Sequence, residues 1–85
     1  MHYLYLLQSE VDQTVYIGFT EDLKRRLEEH NTGKTKSIKH KIPYKLKYYE
    51  AYCSKTDAIK RELELKNNSY QKEQLIKRLA ETLKK

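Results

Sequence analysis

The chain is poor in the residues that staple, break or bend a backbone. It has one cysteine, one proline, two glycines, one phenylalanine and no tryptophan among 85 residues. A single cysteine, Cys53, excludes a disulfide framework within the chain, and with no acid–base partner nearby in sequence it reads as a filler rather than a nucleophile. No apolar run is long enough for a membrane span, and the N-terminus lacks the basic-then-apolar pattern of a secretory signal, so a cytoplasmic protein with no membrane partner is expected. There is no internal repeat and no low-complexity segment, and residues 1–85 read as a single domain. A domain of this size buries roughly 60–65% of the surface its unfolded chain exposes, a modest core that needs no staple.

What is present is charge and tyrosine. Eighteen Lys and Arg stand against 12 Asp and Glu, a formal charge of +6. That excess suits a polyanionic partner, nucleic acid first, although a basic domain without such a partner has the same composition. Eight tyrosines suit half-buried sheet surfaces, and their hydroxyls and rings also offer chemistry or stacking.

The organising stretch runs from Thr14 to His30. Val15, Ile17 and Phe19 alternate with Thr14, Tyr16 and Gly18, which predicts a strand. Thr20 or Asp22 then caps a helix that ends near Asn31, with Gly33 as its stop. Leu23 and Leu27 define that helix's apolar stripe, yet Arg26 and His30 fall on the same stripe. An inward guanidinium must find an anion, because a buried unpaired charge costs several kcal/mol.

Around this stretch, His2 to Gln8 is predicted as a strand with Leu4 and Leu6 on one face and Tyr3, Tyr5 and Leu7 on the other. A short polar loop makes it the hairpin partner of the second strand, so that Tyr5 and Tyr16 share a face. Thr32 to Lys41 reads as an exposed basic connector, in which Lys34, Lys36, Ser37 and Lys39 offer phosphate contacts if they are not merely solvated. Lys45 to Tyr52 is the third strand, with Leu46, Tyr48, Glu50 and Tyr52 on one face. Ser54 caps the next helix, whose stripe of Ala58, Ile59 and Leu63 contains Glu62, a second charge in a core position. Ser69 caps a last helix with a stripe of Leu75, Ile76, Leu79, Ala80 and Leu83. The fold class is α/β, a small three-stranded, largely antiparallel sheet with helices, in the order β-β-α-β-α-α.

Tyrosines on adjacent strands, an inward Arg26 with His30, an inward Glu62 and a basic surface ask for one explanation. A lone glutamate is a plausible foothold for Mg²⁺ or Mn²⁺, hard ions that keep several waters and take further ligands from phosphate. Arg26 suits a phosphate whose oxygens gain charge, and a tyrosine hydroxyl can pass a proton. Together these describe a one-metal phosphodiester hydrolase. The competing readings are packing for Tyr5 and Tyr16, an Arg26–Glu62 ion pair between helices, and a core or helix-end histidine for His30.

The chain resembles the GIY-YIG endonucleases, most closely the small single-domain YhbQ-like, UPF0213-type members, from about His2 to Ile76. Tyr16-Ile17-Gly18 is the second half of the name motif, and Tyr3-Leu4-Tyr5 stands where the first half is Gly-Ile-Tyr. Arg26, eight residues after Gly18, matches the catalytic arginine; His30 matches the histidine one turn later; Glu62 matches the metal-binding glutamate. Gly33 to Lys39 and Lys45 to Tyr49 also look like the small members. Two departures are Phe19, where some members have lysine, and a last helix without asparagine. The resemblance implies a DNA endonuclease using Mg²⁺ or Mn²⁺, and the sequence itself does not separate DNA from RNA. Tyr5 with Tyr16 would activate water, Arg26 would stabilise the phosphate, His30 would bond a phosphate or shuttle a proton, and Glu62 would hold the metal. With no second domain to read sequence, structure-selective cleavage linked to repair or recombination is expected, from a monomer or weak homodimer. A module of the same fold that binds nucleic acid without cutting it is the alternative.

Overall fold

The computed structural model describes residues 1–33 and 40–84. Three strands, β1 (His2–Ser9), β2 (Val15–Thr20) and β3 (Tyr44–Tyr52), and three helices, α1 (Leu23–Asn31), α2 (Lys55–Asn67) and α3 (Ser69–Arg78), follow one another as β-β-α-β-α-α. The strands form one antiparallel sheet in the order β2-β1-β3. This is the α/β arrangement expected from the pattern.

The central position of β1 explains its composition. A strand hydrogen-bonded on both edges and covered on both faces must be apolar throughout, and Leu4 to Leu7 are all buried. Leu4 and Leu6, with Ile17 of β2, pack against Leu65 of α2 and against Leu75 and Leu79. Tyr5 and Leu7 pack on the opposite face with Tyr44, Leu23, Leu27 and Tyr16. The helices therefore divide the work. α2 and α3 cover one face, and the short α1 covers the other, where the tyrosines lie.

Three local expectations change. First, Leu46 does not share a face with Tyr48. Leu7 pairs with Leu46 and Leu6 with Tyr48, leaving Lys47 as an extra residue at a register shift. Such a bulge flips the strand's alternation, so Leu46 joins the Tyr5 face while Tyr48 and Tyr52 join the other. Second, Leu63 is exposed and Leu65 takes its place in the core. Ala58, Glu62 and Leu65, four and then three residues apart, are the true inner stripe of α2. Third, the cap of α3 is Asn68, whose side chain accepts from the Gln71 N–H at 3.2 Å; Ser69 is the first helical residue. α3 ends at Arg78, so Leu79 and Leu83 pack from the turns beyond it rather than from a continuous helix.

The start of α1 follows the expected chemistry. Asp22 is the cap and accepts from the Arg25 N–H at 3.0 Å, while the Thr20 hydroxyl accepts from the Asp22 N–H at 3.1 Å. The end is set by Thr32 and by Gly33, whose φ of 79° lies in the left-handed region that glycine tolerates.

Candidate active site

Four side chains meet on the α1 face. In β1, Tyr5 lies directly opposite Gly18 of β2. Its ring extends across that glycine: a Cβ there would fall on the Tyr5 hydroxyl and 2.5 Å from Cζ. The missing side chain is thus the space that Tyr5 fills. Tyr16 stands diagonally on the same face, its ring centre 6.3 Å from that of Tyr5.

α1 supplies the other two. The Tyr5 hydroxyl is 2.9 Å from His30 Nε2, and Arg26 Nε donates to the same oxygen at 3.3 Å. Arginine can only donate. The phenol's own proton is therefore free to point to His30 Nε2 in the tautomer that carries the ring proton on Nδ1. That Nδ1 is buried and has no partner among the described residues. Fully buried, His30 also packs against Tyr16, with ring centres 4.9 Å apart. Glu29 holds the far side of the arginine, its Oε1 3.2 Å from Arg26 Nη1.

Burial sets the protonation of this cluster. Desolvation and then the neighbouring Arg26 charge lower the His30 pKa from 6.5 to about 4, so the ring is neutral at pH 7. Desolvation also raises Tyr5 above the ordinary phenol value of 10.0 despite the hydrogen bond from Arg26. Tyr5 is a neutral phenol whose oxygen accepts from a guanidinium and lies within hydrogen-bond distance of an imidazole.

Glu62 approaches from α2. Its carboxylate is 3.1 Å from Lys66 Nζ, one turn on, and that ammonium lies 5.6 Å from the centre of the Tyr16 ring. Glu62 is also close enough for its charge to bear on Tyr5. The Arg26–Glu62 ion pair of the competing reading is not formed, since Arg26 pairs with Glu29 and Glu62 with Lys66. The structural ion pair lies elsewhere. Arg61 binds Glu50 of β3 at 3.0 Å, and Tyr48 and Tyr52 donate to the same carboxylate at 2.6 and 2.5 Å. This anchors α2 to the sheet next to Glu62.

Glu62 brings no companion carboxylate. No group of three or more His, Cys, Asp or Glu stands together among the described residues. One half-buried carboxylate does not fit zinc. It does fit a hard divalent ion that keeps its waters and completes its shell with phosphate.

A family model for the GIY-YIG catalytic domain matches residues 1–77. The chain belongs to the GIY-YIG family. Its relatives there are UPF0213 proteins. One from Streptococcus agalactiae serotype V is 44% identical over 70 residues, covering 81% of this chain and 78% of the relative. Another, from Haloquadratum walsbyi, is 34% identical over 76 residues, covering 88% and 84%. The solution NMR structure of a UPF0213 protein from Bacillus halodurans is 36% identical and superimposes with a TM-score of 0.57 over 89% of this chain and 82% of that one. This is a small GIY-YIG domain of the UPF0213 type, which places it in a nuclease family with nucleic acid as the substrate class.

Of the residues singled out in the sequence, the GIY-YIG fold brings Tyr5, Tyr16, Arg26 and His30 into contact and sets Glu62 beside them. Lys34, Lys36, Ser37 and Lys39 lie outside the described residues. Glu29 and Lys66 are additional members, legible in principle as i,i+3 and i,i+4 partners of Arg26 and Glu62. Asn31 is another. Its side chain donates to the Tyr44 carbonyl at 2.9 Å and accepts from the Tyr44 N–H at 2.6 Å, tying the end of α1 to the start of β3. No one-dimensional pattern links residues thirteen apart in this way. A cavity of about 360 Å³ lies elsewhere, lined by Arg61, Gln71, Gln74, Leu75, Lys77 and Arg78. That cavity takes in none of the residues singled out as site candidates in the sequence, so the cluster around Tyr5 is the stronger candidate.

Proposed function

We propose that this GIY-YIG domain is a divalent-metal-dependent endonuclease that hydrolyses phosphodiester bonds in DNA. The observation that carries the reading is the Tyr5 hydroxyl held between Arg26 Nε and His30 Nε2. In the proposed step a water attacks phosphorus and gives a proton to Tyr5 Oη as the Tyr5 proton passes to His30 Nε2, while the opposite P–O ester bond breaks and its oxygen leaves with a proton from solvent water. Being buried, His30 acts through Tyr5 and not on phosphate directly. Arg26 keeps the tyrosine oxygen from accumulating unbalanced charge and presents its remaining N–H groups to the phosphate oxygens. Tyr16 packs against His30 and walls the site. Glu62 would hold Mg²⁺ or Mn²⁺, which would supply Lewis-acid stabilisation of the phosphate charge.

Lys34, Lys36, Ser37 and Lys39 are the phosphate contacts proposed from the sequence. Branched, nicked or flapped DNA is the proposed substrate, met in repair or recombination. The protein acts in the cytoplasm as a monomer or weak homodimer, and RNA is a further substrate to assay. The test is cleavage of supercoiled plasmid and of branched duplexes with Mg²⁺ or Mn²⁺. Tyr5→Phe, Arg26→Ala and Glu62→Ala should each lower the rate by at least about 100-fold, in line with the loss of a general base or charge stabiliser. Unchanged cutting by Glu62→Ala, or no cutting by the parent protein, defeats the enzyme reading.

One observation favours the binding-module alternative: burial raises the Tyr5 pKa rather than lowering it, so the proton transfer depends wholly on His30. That reading expects salt-sensitive DNA binding, indifferent to Glu62→Ala, without cleavage.

A further inference from the structure

Lys66 has no place in the motifs that identify the family, yet it touches two members of the site. It stands in the last turn of α2, its ammonium 3.1 Å from Glu62 Oε2 and 5.6 Å from the Tyr16 ring centre. Glu62 is the more buried partner, with its side chain 18% exposed against 40% for Lys66. The lysine is therefore the more solvent-exposed partner, and a hydrated cation competes with it for that carboxylate.

An ammonium and a divalent ion on one carboxylate repel each other. The half-exposed ammonium is the weaker holder, since pairs of this kind contribute only about 0.2–1 kcal/mol. It also sits on a flexible four-carbon stem. Released from Glu62, it stays tethered above Tyr16, whose ring adjoins Tyr5 and His30. Arg26 stands on the other side of the adjoining Tyr5 and Tyr16 rings. We propose that Lys66 is a phosphate-binding residue of this site. It neutralises Glu62 in the substrate-free protein and passes to a backbone phosphate of the nucleic acid when a divalent cation takes the carboxylate. This rests on the nuclease reading and adds a coupling to it. Phosphate draws Lys66 off Glu62 and so favours the cation, and by linkage the cation favours phosphate.

Two measurements test the exchange without relying on cleavage. The first is Mn²⁺ titration of the protein alone, followed by loss of the free-ion EPR signal. Lys66→Met should bind Mn²⁺ about two- to fivefold tighter, the fold-change equivalent to an exposed ion pair; Lys66→Arg should stay near the parent, and Glu62→Gln should lose the site. The second is fluorescence anisotropy of a labelled branched duplex in EDTA. Glu62→Gln frees the lysine and should bind DNA several-fold tighter, a gain absent from the Glu62→Gln/Lys66→Met double variant. With cation present, Lys66→Met should reduce the salt slope by about one phosphate contact. Mn²⁺ affinity unchanged or weakened in Lys66→Met, or equal DNA binding by the single and double variants, overturns the proposal. Cleavage by the parent protein is scored separately, so the nuclease reading survives or fails independently.

Discussion

At the scale of single residues, the site depends on what is absent at position 18. Gly18 lets the Tyr5 ring lie across β2, and a methyl group there collides with the hydroxyl and Cζ rather than with a flexible tip. Gly18→Ala should push Tyr5 off both Arg26 and His30. We expect a loss of about 1–3 kcal/mol in stability, the usual effect of overpacking, together with loss of cleavage in the plasmid assay; a variant that melts and cuts like the parent would contradict this placement. His30 gives a second residue-scale expectation. Its folded pKa is about 4 against 6.5 for the free side chain. Between those values the unfolded chain binds a proton that the folded chain refuses. Stability should therefore fall as pH drops from about 6.5 to 4, by up to about 3 kcal/mol, with no further loss from this group below that. Urea denaturation at pH 7 and pH 4.5 should show the difference, and His30→Gln should flatten that part of the profile.

At the scale of elements, two side-chain clamps hold helices whose intrinsic stability is small. α1 spans nine residues, too short to persist alone in water. Leu23 and Leu27 anchor it to the sheet, and Asn31 closes its end onto the Tyr44 backbone. Asn31→Ala leaves a backbone N–H and a carbonyl without that partner and should cost about 1–3 kcal/mol. Because α1 carries both Arg26 and His30, activity should fall at temperatures well below the melting point; equal thermal profiles for parent and variant would rule this out. On the opposite face the Glu50–Arg61 pair does the same for α2. Burial pushes the Glu50 pKa up, but bonds from Arg61, Tyr48 and Tyr52 outweigh it and the net shift is down. Its contribution is present above the ordinary carboxylate range and is lost as pH falls below it, the same direction as for His30. The bulge in β3 is what lets one strand serve both clusters, with Leu46 facing α1 and Tyr48 facing α2.

At the scale of the whole molecule, the formal charge is +6. No helix among the described residues is long and apolar enough to cross a membrane. The charge should appear as salt dependence. DNA affinity should fall steeply between 50 and 200 mM salt, with a log–log slope set by the number of phosphates contacted, roughly 0.9 per contact on duplex. Filter binding over that range measures it, and a flat profile would mean that the basic surface is not the binding surface.

Element order, the two-faced pattern of β1, the caps of α1 and α2, and the inward position of Arg26, His30 and Glu62 were legible in the chain, because each depends on spacings of two to four residues that a strand or helix turns into faces. Less local features were not. Leu63 and Leu65 are equally apolar, and only the docking angle of α2 decided which entered the core. Nothing in Lys45 to Tyr52 marks Lys47 as the bulge; the pairing with β1 does. The contacts of Tyr5 with Arg26 and His30 span 21 and 25 residues, and the clamp of Asn31 on Tyr44 spans 13. The sequence by itself determined that Arg26, His30 and Glu62 lie on inner faces and which family the chain belongs to. Tertiary structure alone decided which of those inward groups meet, because hydrogen bonds and ion pairs act over about 3–4 Å and only packing against a common sheet brings such distant positions that close.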